Sequence, residues 1–145
     1  MIIDTTYLLP LSGIGVDTDL LRAAADNRIS LDFDDVSISM ISIFELQAKA
    51  AKLGIPARLA VEATETINTV FRIEPFYNPK IIRTSQSLLG TLKDYIDCLI
   101  VATAIVLQEN LVTEDTKVLA VKKFIKETYR IDIFTFKELL GKKVL

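Results

Sequence analysis

Met1-Ile2-Ile3-Asp4-Thr5-Thr6 carries the strongest fold signal in the chain. Three apolar residues, an acid and two hydroxyls read as a short buried strand that stops on a carboxylate. Open α/β sheets gather their ligands at the carboxyl ends of strands, so Asp4 stands where a site belongs. A carboxylate at the rim of a core is costly unless something satisfies it. Glu45, Asp97 and Asp115 also border runs that favour burial, and four such acids suggest a shared cation held by oxygen ligands.

Working outward from this strand, strand-like and helix-length segments alternate to the end of the chain. Tyr7 to Leu11 reads as a first helical turn interrupted near Pro10, and Asp17 or Thr18 as the cap of a helix through Leu20 and Ala25. Val36 to Met40 alternates like a strand, and Ser42 with Glu45 has capping-box spacing for the next helix. Pro56 opens another helix, Val70 to Ile73 reads as a strand, and Pro75 and Pro79 bracket a turn before a helix over Ile81 to Leu89 closed by Gly90. A helix from Asp94 to Gln108, a strand at Leu111 to Thr113, a helix over Lys117 to Thr128, a strand at Ile131 to Phe134 and a helix at Phe136 to Leu140 complete the series. Five strands separated by helices predict a parallel sheet with helices on both faces.

Composition bounds the rest. The chain has 145 residues, 50% of them apolar, which suits one domain over residues 1–145. The lone Cys98 sits in an apolar run and reads as a buried structural thiol in a reducing compartment. Histidine is absent, which excludes Cys-His and Ser-His nucleophile systems and His-liganded zinc, and leaves hard, oxygen-liganded metals. The first apolar run is too short for a signal segment, and Cys98 to Leu107 is too short to span a bilayer. A soluble, intracellular protein without a membrane partner is expected.

Each acid also has an ordinary explanation. Asp97 begins an apolar helical run, where the helix dipole favours a negative charge. Asp94, three residues earlier, is an alternative cap, so either can be the one that faces a site. Glu45 can serve as the capping-box partner of Ser42, Asp115 can cap the following helix, and Glu114 can be a solvated neighbour.

Met-Ile-Ile-Asp4-Thr5-Thr6, Ile-Ser-Ile-Phe-Glu45-Leu, Asp97-Cys-Leu-Ile-Val-Ala-Thr-Ala and Leu-Val-Thr113-Glu-Asp115 follow one another in the order and spacing of PIN domains. The chain resembles the VapC-like toxin ribonucleases of that family over nearly its whole length. The resemblance implies a three-layer α/β/α fold with a central, mainly parallel five-stranded sheet. It implies a cytoplasmic endoribonuclease dependent on Mg²⁺ or Mn²⁺, with Asp4, Glu45, Asp97 and Asp115 as catalytic and metal-binding acids. Thr5 or Thr113 would supply a supporting hydroxyl, and Asp94 is an extra acid able to take part. It further implies an RNA substrate, an inhibitory antitoxin and a homodimer. One departure stands out: after the fourth acid, where many relatives carry a further acid and then Phe, this chain has Lys117-Val118.

Other acid-bearing α/β plans fit poorly. A phosphoacceptor receiver needs paired acids after the first strand and an Asp after the third, where this chain has Asp4 alone and Ile73-Glu74-Pro75. A haloacid-dehalogenase-like phosphatase needs a second Asp where Thr6 stands. The main alternatives keep the fold: a non-catalytic RNA- or protein-binding module, or an RNA-processing nuclease without an antitoxin.

Net charge is −2, but it is unevenly spread. Residues 1–45 hold eight acids against Arg22 and Arg28; residues 116–145 hold eight bases, Lys143 included, against three acids. That basic end can track a phosphate backbone or be the wet face of a helix, and the acidic third can meet a basic partner. Tyr7, Phe76, Tyr77 and Tyr95 are candidates to stack on unpaired bases, whereas Phe44, Phe71 and Phe124 read as core. Ile14, Val16, Leu20, Ile55 and Leu59 suit a dimer face or the core equally.

Overall fold

The computed structural model describes residues 1–142, so Lys143 of the basic C-terminal set lies outside the described residues. Five short strands, β1 (Ile2–Ile3), β2 (Ser37–Ser39), β3 (Arg72–Glu74), β4 (Leu111–Val112) and β5 (Ile133–Phe134), form one sheet in the order β3-β2-β1-β4-β5. Every pairing is parallel, with Ile2 opposite both Ser37 and Leu111 and Ile3 opposite Val112. The chain moves outward from β1 through β2 to β3, then returns to the other side of β1 for β4. The gap between the carboxyl ends of β1 and β4 is therefore a topological switch point, the place where open α/β sheets hold ligands.

Helices cover both faces. One layer holds a 3-10 helix (Thr5–Ser12), α1 (Leu20–Ala25), α2 (Met40–Lys52), α3 (Ala57–Val70) and α8 (Phe136–Gly141); the other holds α4 (Pro79–Leu88), α5 (Tyr95–Leu107), α6 (Thr116–Ala120) and α7 (Lys122–Tyr129). Successive strand residues face opposite layers, and this explains why β1 is apolar at every position. Ile2 joins the cluster of α4, α5 and α7, while Ile3 joins Tyr7, Leu46 and Ile67 on the opposite face. In α5, every residue from Cys98 to Ile105 is buried, as befits a helix apolar on all sides and wedged between the sheet and α4. Cys98 is part of that packing, its thiol donating to the Leu92 carbonyl.

Several local expectations shift. The strand expected over Val36 to Met40 ends at Ser39, and Ser39 rather than Ser42 stands at the N-cap of α2. Ser42 is instead buried inside the helix, so the expected capping box with Glu45 does not form. Asp19 replaces Asp17 or Thr18 as the cap of α1, accepting the Arg22 amide at 3.1 Å. Pro56 is the cap of α3 rather than its first residue, and Pro79 begins α4, its missing N–H costing nothing there. The expected Lys117 to Thr128 helix breaks at Val121 (φ −107°, ψ 7°), a β-branched residue whose stiff side chain favours leaving the helix. Thr135 and Glu138 form the capping box that Ser42 and Glu45 do not.

Leu20 is fully buried in the core, and Ile14, Val16, Ile55 and Leu59 are half-buried. Phe71 is core as expected, but Phe44 and Phe124 stand 60% and 43% exposed. Tyr7, expected as a base-stacking ring, is wholly buried. No described helix is long and apolar enough to cross a membrane.

Candidate active site

Asp4 follows β1 at the switch point, its amide donating to the Val112 carbonyl of β4 at 3.0 Å. Both carboxylate oxygens are held: Oδ1 accepts the Thr5 amide at 2.7 Å and Oδ2 accepts the Thr113 hydroxyl at 2.6 Å. Strand order makes this meeting possible, because β4 is the hydrogen-bonded neighbour of β1 although Thr113 lies 109 residues further along.

Two further links extend the network. The Thr5 hydroxyl donates to Glu45 Oε1 at 2.6 Å, drawing α2 to the end of β1. On the other side, the Asp115 amide donates to Thr113 Oγ1 at 3.0 Å. Glu45, Thr5, Asp4, Thr113 and Asp115 thus form one continuous chain of hydrogen bonds across the switch point. Both supporting hydroxyls are used, Thr5 toward Glu45 and Thr113 toward Asp4.

The ambiguity between Asp94 and Asp97 is resolved by the phase of α5. Asp94 is the N-cap, exposed, with its side chain accepting the Ile96 amide at 2.9 Å; Asp97 lies in the first turn and lines the cleft. Asp115 does both jobs, capping α6 through the Lys117 and Val118 amides at 2.8 and 3.3 Å while lining the same cleft. The cleft, about 550 Å³, is also lined by Asp4, Glu45 and Glu114.

Glu114 is not a solvated neighbour. Its Oε1 accepts the Tyr7 hydroxyl at 2.9 Å and the Phe136 amide at 2.7 Å, tying the 3-10 helix, the loop after β4 and the start of α8 together. No local pattern announces this, because the three segments are far apart in sequence. Burial and the neighbouring Glu114 charge push the Tyr7 phenol far up, so it remains a donor.

Crowded acids resist ionisation. Burial, then Asp115, Asp94, Asp4 and Glu45, push Asp97 up to about 7. Burial also raises Asp4, against the opposing pull of the Thr113 and Thr5 hydrogen bonds, and raises Glu45 with added repulsion from Asp4 and Asp94. Among the described residues no three acidic, cysteine or histidine side chains are arranged to enclose a metal ion by themselves. The donors are all hard oxygens that repel one another, which suits a divalent cation that keeps several waters and takes one or two carboxylates directly.

Among the described residues, the C-terminal bases do not line this cleft. Lys122 pairs with Glu138 at 2.8 Å, Lys126 pairs with Asp132, Lys123 reaches Glu127 at 3.9 Å, and Lys142 lies 3.3 Å from the Phe134 ring centroid. The cations that line the cleft are Lys49 and Lys52 of α2, which the sequence reading passed over despite their i, i+4 and i+7 spacing from Glu45.

The PIN domain family model matches residues 1–124. Solved structures share the fold over most of their length. A toxin-antitoxin complex from Klebsiella pneumoniae aligns with a TM-score of 0.60 and 25% identity over 82% of this chain and 89% of that one. FitAcB from Neisseria gonorrhoeae aligns with a TM-score of 0.66 and 22% identity over 95% and 99%. VapBC2 from Rickettsia felis, bound to a promoter DNA fragment, gives 0.62 and 20% over 92% and 96%. No curated protein sequence matches the chain.

Proposed function

The chain belongs to the PIN domain family, and on that premise we propose that it is a divalent-metal-dependent endoribonuclease and the toxin of a toxin-antitoxin pair. The observation that carries this reading is the unbroken hydrogen-bonded line from Glu45 through Thr5, Asp4 and Thr113 to Asp115, with Asp97 facing the same cleft.

Asp4 and Asp97 are the carboxylates that would hold Mg²⁺ or Mn²⁺ directly, with Asp115 completing the oxygen set. When bound, such an ion neutralises charge on the scissile phosphodiester and lowers the pKa of bound water. The chain's own residues then have distinct tasks. Thr5 and Thr113 hold the two Asp4 oxygens at a fixed angle, the former through its amide and the latter through its hydroxyl. Glu45 keeps Oε1 on Thr5 and leaves Oε2 to orient the attacking water and accept its proton. Asp94 stays at the rim and acts through its charge, raising Asp97 and Glu45.

An antitoxin partner is supported by the relative from Klebsiella pneumoniae, which was solved as a toxin-antitoxin complex. A homodimer acting on RNA in the cytoplasm belongs to the same reading. The test is cleavage of an RNA panel with Mg²⁺ or Mn²⁺, arrest by EDTA, and loss of cleavage in a folded Asp4→Asn variant. Cleavage that survives EDTA or Asp4→Asn sinks the reading. RNA binding without cleavage by the wild type would instead favour the non-catalytic module, and cleavage with no co-purifying inhibitor an RNA-processing nuclease.

A further inference from the structure

Phe44 precedes Glu45 and lines the cleft while 60% exposed, although its sequence context reads as core. A single exposed apolar side chain is ordinary on a protein surface. Here it has company. Lys49 and Lys52 line the same cleft from the same helix, and among the described residues neither is in an ion pair. From Phe44 to Lys52 the wall of α2 runs for about 12 Å. It leads away from a cluster of carboxylates that repels phosphate.

We propose that this wall of α2 seats an unpaired RNA strand, with one base stacked on the Phe44 ring and the adjoining phosphates passing Lys49 and Lys52. The inference deepens the ribonuclease reading and rests on it. Two observations favour a strand over a protein partner. An open aromatic face beside a row of cations matches the stacking and charge pattern used on single strands. The cations lie in the cleft with the acids, whereas Lys122, Lys123 and Lys126 are committed to Glu138, Glu127 and Asp132. A duplex offers no free base face to Phe44, so the strand must be unpaired.

The experiment measures binding of a fluorescent single-stranded oligouridylate, and of a blunt-ended RNA duplex of equal length, to Asp4→Asn protein in EDTA, where nothing is cut. Adding Phe44→Ala is expected to weaken the single-stranded probe about 5- to 100-fold, to spare the duplex, and to be rescued by Phe44→Trp. Lys49→Gln with Lys52→Gln is expected to weaken binding and to flatten the dependence of log affinity on log salt by about 1.4, roughly 0.7 per lost phosphate contact. Circular dichroism should be unchanged, since all three side chains are exposed. Parent-like affinity and salt slope in these variants overturn the proposal, as does loss of a co-expressed partner protein with RNA binding intact. The two readings separate cleanly. Asp4-dependent cleavage with normal RNA binding by the α2 variants keeps the nuclease and discards the strand seat; no cleavage by wild type, with binding lost in the variants, does the reverse.

Discussion

The Thr113 hydroxyl donates to Asp4 Oδ2 at 2.6 Å, joining the ends of two neighbouring parallel strands. Thr113 Oγ1 in turn accepts the Asp115 amide at 3.0 Å, so one buried hydroxyl positions both acids. Thr113→Val keeps the shape and removes both bonds. Activity should fall about 10- to 100-fold, as for other groups that orient metal-binding carboxylates. Urea unfolding should show a loss of about 1–3 kcal/mol, because a carboxylate and a half-buried amide lose their partner. Thr113→Ser should retain most of both; equal damage from Ser and Val would deny the hydroxyl this role.

Asp97 makes stability depend on pH in an uncommon direction. Between its ordinary value of 3.8 and about 7, the folded chain holds a proton that the unfolded chain has released. Its contribution is therefore greatest at low pH and is lost as pH rises through that window, and the raised Asp4 and Glu45 act in the same sense. In EDTA, thermal unfolding should occur at a lower temperature near pH 8 than near pH 5. Millimolar Mg²⁺ or Mn²⁺ should raise Tm more at the higher pH, by about 2.7 kcal/mol of stability at a hundredfold excess over Kd. Asp97→Asn should reduce this pH dependence and abolish cleavage. A metal effect indifferent to pH would argue against binding at these carboxylates.

Tyr7 holds Glu114 from inside the core. Tyr7→Phe removes only the hydroxyl and leaves Glu114 with the Phe136 amide. A loss of about 0.5–1.5 kcal/mol is expected in chemical denaturation, with hydrogen exchange faster at the start of α8. Unaltered exchange there would mean that Glu114 does not tie these segments together.

Ser37 and Ser42 are buried with hydroxyls that find no protein partner. Their small size lets helices approach β2, and an unpartnered buried hydroxyl carries a cost. Ser37→Ala and Ser42→Ala should be neutral or stabilising by up to about 1 kcal/mol in differential scanning calorimetry. Destabilisation beyond that would reveal a hydrogen bond to bound water.

Much of this architecture is readable from local pattern. Alternating strand-like and helical runs name five parallel strands and place Asp4 at a strand end, because burial on two faces demands an apolar run such as Met1-Ile2-Ile3. The lack of histidine rules out imidazole as ligand or base, and the acids Asp4, Glu45, Asp97 and Asp115 all do line one cleft. Folding supplied what spacing leaves open. Whether Asp94 or Asp97 faces the cleft depends on where α5 begins, and Glu45 is freed from capping because Ser39 ends β2 one turn before Ser42. Glu45 meets Thr5 across 40 residues and Thr113 meets Asp4 across 109. Periodicity along a chain encodes which side is buried; the direction and partner of a polar side chain come from strand order, which brings distant segments within hydrogen-bond reach. For the same reason the lysines of α7, suggestive as a run of charge, meet the acids of their own surroundings, Lys122 with Glu138, Lys123 with Glu127 and Lys126 with Asp132, and the cleft draws its cations from α2.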